Sequence, residues 1–238
     1  MHQIEAVVAE VLGDRAATGR LGEVGDFLDQ IHESFADLPP GEREVATARD
    51  IILIHSGAQS NLYAALAWTL IDLIAHPDLL ARVRAGDDVL LDQCANESIR
   101  LAQRSITLRE VLRPLELDAE GGPYRLERGT FVTTMLSATN RSAAPGLDRY
   151  DPDHYRPQRR TLAPEVALPT KEMVSTFGHG SHSCPAARFS ISAVRLAVRA
   201  LVEHYDLDPE YDSVSPRRQQ IGGVARSARP AWVAYRRR

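Results

Sequence analysis

The chain has 238 residues, 44% hydrophobic and 25% charged, with 28 Lys and Arg against 32 Asp and Glu for a formal net charge of −4. That composition suits a globular chain with a sizeable core, and it excludes the disordered and collagen-like classes. The mildly acidic balance gives no global drive towards nucleic acid or an anionic membrane surface, and the two cysteines, Cys94 and Cys184, lack the spacing of a disulfide framework or a structural zinc site.

In chain order, the first ten residues lack the charged-then-apolar layout of an export signal, so a reducing cytoplasm is expected. Ile4, Val7, Val8, Val11 and Leu12 recur at helical spacing until Gly13 and Asp14 break the pattern, and Val24, Phe27, Leu28, Ile31 and Phe35 restart it. Two helices therefore open the chain. From Glu42 a long helical pattern runs until His76 and Pro77 stop it, about 30 residues or some 50 Å. It is apolar on nearly every face over residues 62–74, as a central, surrounded helix would be. Polar residues from His55 to Asn61, with Asp72, make it a poor membrane span.

Residues 78–85 read as a short helix and 88–105 as another. From Val111 the texture turns β-rich, with strands expected over 111–118, 124–127 and 130–136, the last two joined by Arg128 and Gly129 as a hairpin turn. Residues 140–169 are proline-punctuated with little period, an irregular meander. Phe189, Ile191, Val194, Val198 and Leu201 mark a buried helix to about His204, and residues 232–235 a last short strand. No linker divides the chain, so a single domain over 1–238 is expected.

The stretch from Phe177 to Ala186 sets one thiol between a glycine- and serine-rich turn and that helix. Pro185 suits a first helical position, which would leave Cys184 at a helix N-terminus, where partial positive charge favours thiolate. A thiolate there is either a nucleophile, with His179 or His182 as base, or a metal ligand. The pattern F-x-x-G-x-H-x-C-x-A, read from Phe177 through Gly180, His182 and Cys184 to Ala186, resembles the haem-binding loop of the cytochrome P450 family. Upstream, Glu97 and Arg100 form an E-x-x-R pair at one helix face, and residues 124–130 resemble the family's strand before the meander.

The resemblance implies a mostly α fold with a small β component: a cytochrome P450-like fold, truncated, with a long central helix, E-x-x-R helix, β hairpin, meander and Cys loop. Only the later part of a family member is matched. It implies haem b (iron protoporphyrin) with Cys184 as the axial thiolate, and Phe177, Gly178, Gly180 and Ala186 as its bed. His182 is implied at a propionate, with Arg109 a second propionate ligand. Glu97 and Arg100 would be locked by a third residue, placed here at His154 where the family usually has Arg. The family's oxygen-side helix motif falls on Ser56 to Ser60: Gly57 leaves room for ligand or water, Ser60 keeps the hydroxyl, and Gln59 stands where an acidic residue is common.

Thiolate donation to iron favours O–O cleavage, so the implied activity is insertion of an oxygen atom into a small organic substrate. Electrons would come from a ferredoxin- or flavodoxin-type donor, for which Arg104, Arg113, Arg188, Arg195 and Arg199 could form a basic face. The alternative is a truncated relative without monooxygenase activity, acting as a haem-binding or interaction module or a non-redox catalyst. Three origins stay open: a fragment, a half completed by a second chain or by self-association, and a shortened protein. No nucleic acid and no membrane span are expected.

Overall fold

The structure is a computed structural model that describes residues 2–157 and 161–238. The chain divides into two compact units, residues 1–60 and 61–238.

The first unit contains α1 (His2–Ala17), α2 (Phe27–Ser34) and the opening of α3 (Pro40–Ala75). The expected break at Gly13 does not occur, because helical hydrogen bonding carries through to Ala17. Val8, Leu12 and Ala48 are buried together with Leu21, Leu28 and Ile51 packed on them. Asp26 caps α2 by accepting the Asp29 N–H at 3.1 Å. The Arg15 guanidinium reaches Asp26 at 2.7 Å and Asp29 at 2.8 Å.

The second unit is built on α5 (Asp88–Ala102), where Leu90, Leu91 and the whole run from Gln93 to Arg100 are buried. Asp87 caps it, accepting the Leu90 N–H at 2.9 Å. Against α5 packs α7 (Ala187–His204), through Ile191, Val194, Val198 and Val202. Also in this core are Ala64, Ala65, Trp68 and Leu73 from α3, and Leu80 and Val83 from α4 (Pro77–Arg84). The surrounded helix is thus α5, not α3. Tyr63 is 63% exposed and Ala67 also faces water, so α3 buries one side only over residues 62–74.

Among the described residues, six short strands form three two-stranded antiparallel ribbons. β1 (Ile106–Glu110) pairs with β4 (Phe131–Met135), Leu108 opposite Thr133. Between them is inserted the hairpin of β2 (Leu115–Ala119) and β3 (Gly122–Leu126), Leu117 opposite Tyr124. β5 (Tyr205–Pro209) pairs with β6 (Val233–Arg237). The hairpin expected at Arg128–Gly129 is therefore wrong. The tight reversal lies at Glu120–Gly121, where Gly121 takes φ +103°. At the expected site, Gly129 N–H donates to the Val111 carbonyl and Val111 N–H to the Thr130 carbonyl. That staple turns β4 onto β1 rather than onto β3. Among the described residues, α6 (Leu136–Ser142) and four single 3-10 turns lie between β4 and α7.

Candidate functional site

Phe177 is half-buried against the core and its carbonyl accepts the Cys184 N–H at 2.6 Å, closing the loop between them. Gly178 takes φ +81°, and a Cβ there would lie 2.5 Å from the His182 carbonyl oxygen, so the loop can be this tight only with glycine. Ser175 Oγ accepts the Gly178 N–H at 2.9 Å, and His179 Nε2 bonds the Val174 carbonyl at 2.8 Å. A 3-10 turn spans Gly180–His182, and the Ser183 hydroxyl donates to the Gly180 carbonyl at 2.8 Å.

α7 begins at Ala187, with Ala186 as its cap residue. Pro185 is therefore not the first helical residue, and Cys184 lies in the turn that leads into the helix, its carbonyl accepting the Ala187 N–H at 3.3 Å. Cys184 is a free, exposed thiol, whereas Cys94 is fully buried and burial pushes its thiol up to about 12. Gly178 and residues 180–186 are all exposed, so that glycine, serine, proline and alanine, with His182, surround one uncovered sulfur. A single exposed cysteine sulfur on an open, glycine-closed loop fits an iron-bearing group that brings its other ligands with it.

Behind the loop stands a buried ion pair. Glu97 and Arg100 are both fully buried and meet twice, Oε1 with Nη2 at 2.6 Å and Oε2 with Nε at 2.7 Å. Arg100 Nη1 also donates to the carbonyls of Asn140 and, at 2.7 Å, Leu147. Glu97 Oε1 accepts from His154 Nδ1 and from the Asp151 N–H, each at 3.0 Å. Burial alone would raise the Glu97 carboxyl, but hydrogen bonds from Arg100 and His154 outweigh it and hold it below the usual range. The three residues named from the sequence are thus brought together.

Sequence reasoning missed the link between this pair and the loop, which is Asn140. Fully buried on α6, it bonds both Arg100 and Ser175, and Ser175 bonds Gly178. No motif surrounds Asn140. Its only signal is an amide inside an otherwise short, ordinary helix.

The other named residues are more exposed. His182 is exposed in the loop, and Arg109 is exposed on β1, its guanidinium on the Leu108 carbonyl at 3.1 Å. Gly57 and Gln59 are exposed and Ser60 half-buried on α3, within the first unit. The expected basic face is partly spent internally. Arg195 pairs with Asp92 at 2.9 Å, and Arg199 with Asp88 at 3.1 Å and Glu203 at 3.4 Å. Arg104 is half-buried and donates to the Gln103 carbonyl, and Arg113 lies beside an apolar groove with Leu115 and Leu117. Arg188 is exposed.

The sequence profile described as cytochrome P450 matches residues 47–233, most of the chain. The chain belongs to the cytochrome P450 family. It is 28% identical over 191 residues to a sterol 14alpha-demethylase of Mycolicibacterium vanbaalenii, covering 72% of this chain and 40% of that protein. It is 26% identical over 253 residues to a sterol 14alpha-demethylase of Mycobacterium tuberculosis, covering 98% and 54%. A cytochrome P450 monooxygenase of Aspergillus fumigatus is 28% identical over 242 residues, covering 90% and 45%. The chain spans about half the length of the curated relatives it matches. Cytochrome P450 proteins bind haem b, and the fold, about half helical with small β ribbons, is that of part of such a protein. Among the described residues, no single helix is long and apolar enough to cross a membrane.

Proposed function

We propose that this chain is a haem-thiolate monooxygenase, or the haem-binding part of one. It would insert an oxygen atom from O2 into a small organic substrate, with electrons from a ferredoxin- or flavodoxin-type donor. The observation that carries the reading is the exposed Cys184 thiol on a glycine-closed loop, braced from behind by the buried Glu97–Arg100 pair. Haem b, when bound, supplies the redox chemistry on dioxygen.

The chain's own residues have separate tasks. Cys184 Sγ would ligate iron. His182 and Arg109 would supply positive or donor groups to the propionates, and Phe177, Gly178, Gly180 and Ala186 would keep the bed flat. Ser60 would hold and pass a proton through its hydroxyl, Gln59 would hold water by its amide without ionising, and Gly57 would leave room for it. Glu97, Arg100 and His154 keep the loop's support rigid. In this reading residues 1–238 act as one haem-binding domain, in the cytoplasm.

A second reading is favoured by the exposure of Ser56, Gly57 and Gln59. Water at such groups weakens control of oxygen chemistry. The chain would then serve as a haem-binding or interaction module or a non-redox catalyst, or would need a second chain or a second copy to cover that side. The reduced, carbon-monoxide-treated absorption spectrum tests for thiolate-ligated haem, and product formation with a reduced ferredoxin separates the two readings.

A further inference from the structure

The mildly acidic balance of the whole chain conceals a basic end. Residues 213–238 hold seven arginines and no Asp or Glu, and Asp212 is the last carboxylate before them. Part of this charge is answered on β5, where Asp206 meets Arg236 at 3.1 Å, Arg238 at 3.4 Å and Arg84 of α4 at 3.5 Å. Arg217, Arg218, Arg226 and Arg229 are exposed, and among the described residues no carboxylate forms an ion pair with them.

Backbone pairing sets two of these four face to face. The Arg217 N–H donates to the Arg226 carbonyl and the Ala228 N–H to the Ser215 carbonyl, each at 2.8 Å, with Pro216 opposite Ser227. In this antiparallel register Arg217 lies directly across from Arg226. Side chains alternate sides along such a pair. Val214, Pro216 and Ser227 are half-buried, Val214 against the core, whereas Ser215, Arg217, Arg226 and Ala228 are exposed. Arg217 and Arg226 therefore share the outward side, with Cβ atoms about 5 Å apart. Like charges placed so repel each other, and an anion between them replaces the repulsion with charge-assisted hydrogen bonds.

The turn that joins the two strands carries Ile221, which is 73% exposed. Its backbone is held in place. Asn61 Oδ1 accepts the Val224 N–H at 2.8 Å, the Gly223 carbonyl accepts the Arg104 N–H at 2.8 Å, and the Gly222 N–H returns to the Arg104 carbonyl at 3.0 Å. An apolar side chain thus stands fixed in water between the two arginines in sequence. A soluble anion would satisfy the arginines and leave Ile221 uncovered, whereas a phospholipid surface covers both.

We propose that the paired segments 215–217 and 226–228 dock this chain on an anionic phospholipid bilayer, with Arg217 and Arg226 sharing headgroup phosphates and Ile221 entering the acyl boundary. The planar guanidinium fork takes two phosphate oxygens at once, and its long apolar stem lets the charge stay at headgroup level while the neighbouring side chain goes deeper. Binding of this kind is peripheral and reversible, and it weakens with salt. It needs no haem, so it stands or falls apart from the haem-thiolate reading.

Cosedimentation of the full chain with vesicles tests the proposal. Vesicles of equal parts phosphatidylcholine and phosphatidylglycerol are expected to carry the parent down, and vesicles of phosphatidylcholine alone to leave it in solution. Arg217→Gln and Arg226→Gln are each expected to lower the partition coefficient about fivefold, and Ile221→Ser about tenfold. Arg125→Gln, which removes an exposed charge from β3, leaves it as in the parent. All four side chains are exposed, and circular dichroism matching the parent's shows that the variants keep the fold. Failure of the parent to bind anionic vesicles overturns the proposal, as does parent-like binding by Arg217→Gln and Arg226→Gln or an equal loss in Arg125→Gln. A loss in the two arginine variants with none in Ile221→Ser, together with release from vesicles by inorganic phosphate or double-stranded DNA, assigns the pair to a soluble anion and overturns the lipid docking.

Discussion

Asn140 grips Ser175 by both ends of its side-chain amide, Oδ1 accepting the Ser175 N–H at 2.8 Å and Nδ2 donating to the Ser175 carbonyl at 2.9 Å. Nδ2 also donates to the Arg100 carbonyl at 3.0 Å, so one buried side chain couples the ion pair on α5 to the segment that enters the Cys loop. Asn140→Ala strands buried backbone groups on both sides, and the expected loss is about 3 kcal/mol. Asn140→Asp should be at least as harmful, because a carboxylate turns an acceptor towards two carbonyls. Urea unfolding measures both, and midpoints equal to the parent's would refute the coupling.

The Glu97–Arg100 pair predicts non-additivity. Arg100→Met or Glu97→Leu alone leaves a buried charged partner and should cost about 3–5 kcal/mol. The double substitution Glu97→Leu with Arg100→Met removes both and should cost less than the sum of the two single changes. A double-mutant cycle by chemical denaturation checks this, and strict additivity would mean that the pair is not coupled.

Asp72 sets a pH dependence of opposite sign to that of Glu97. Burial raises its carboxyl from 3.8 to about 6, with the Ser98 hydroxyl and His76 pulling the other way and Glu97 adding to the rise. Tyr150, Tyr211, Cys94 and Arg141 are its other charged or titratable neighbours. The folded form holds its proton more tightly than the unfolded chain. Its contribution is therefore full below pH 3.8 and is lost as pH rises towards about 6, by roughly 2–3 kcal/mol. Glu97, held low, contributes stability that is lost as pH falls. Asp72→Asn should flatten the loss above pH 4 and leave the acid limb in place. Unfolding midpoints from pH 4 to 8 measure it, and an unchanged profile in the variant would assign the loss elsewhere.

The helices were legible because apolar spacing and proline stops act locally. The break at His76 and Pro77 separates α3 from α4 as the pattern implies. The ribbons were less so. Arg128–Gly129 carries hairpin chemistry, but the Val111 staple uses it as a corner, and pairing is decided by contacts distant in sequence. The β1 strand was not legible because five residues, parted from α5 only by Gln103, Arg104 and Ser105, carry little period of their own. In the site, Cys184, Glu97 and Arg100 stand in short motifs, whereas Asn140 and Asn61 act through backbone groups of remote segments, which no local pattern announces.

Pro185 predicts an electronic effect. It follows Cys184 and has no N–H to direct at the sulfur, while the Cys184 N–H is already engaged by the Phe177 carbonyl. Pro185→Leu adds a donor beside the thiolate, withdraws charge from it and should raise the iron midpoint potential. Spectroelectrochemical titration of the haem-loaded protein reads the change, and an unshifted potential would show that the proline does not tune the sulfur.

Cys184 would bind iron from the turn that leads into α7. The reduced, carbon-monoxide-treated spectrum of the haem-loaded chain measures this most directly. The red-shifted Soret band of a thiolate-ligated haem is predicted for the parent, and its loss is predicted in a Cys184→Ser variant that keeps the parent's circular dichroism. A parent spectrum without that band, or a band that persists in Cys184→Ser, would contradict it.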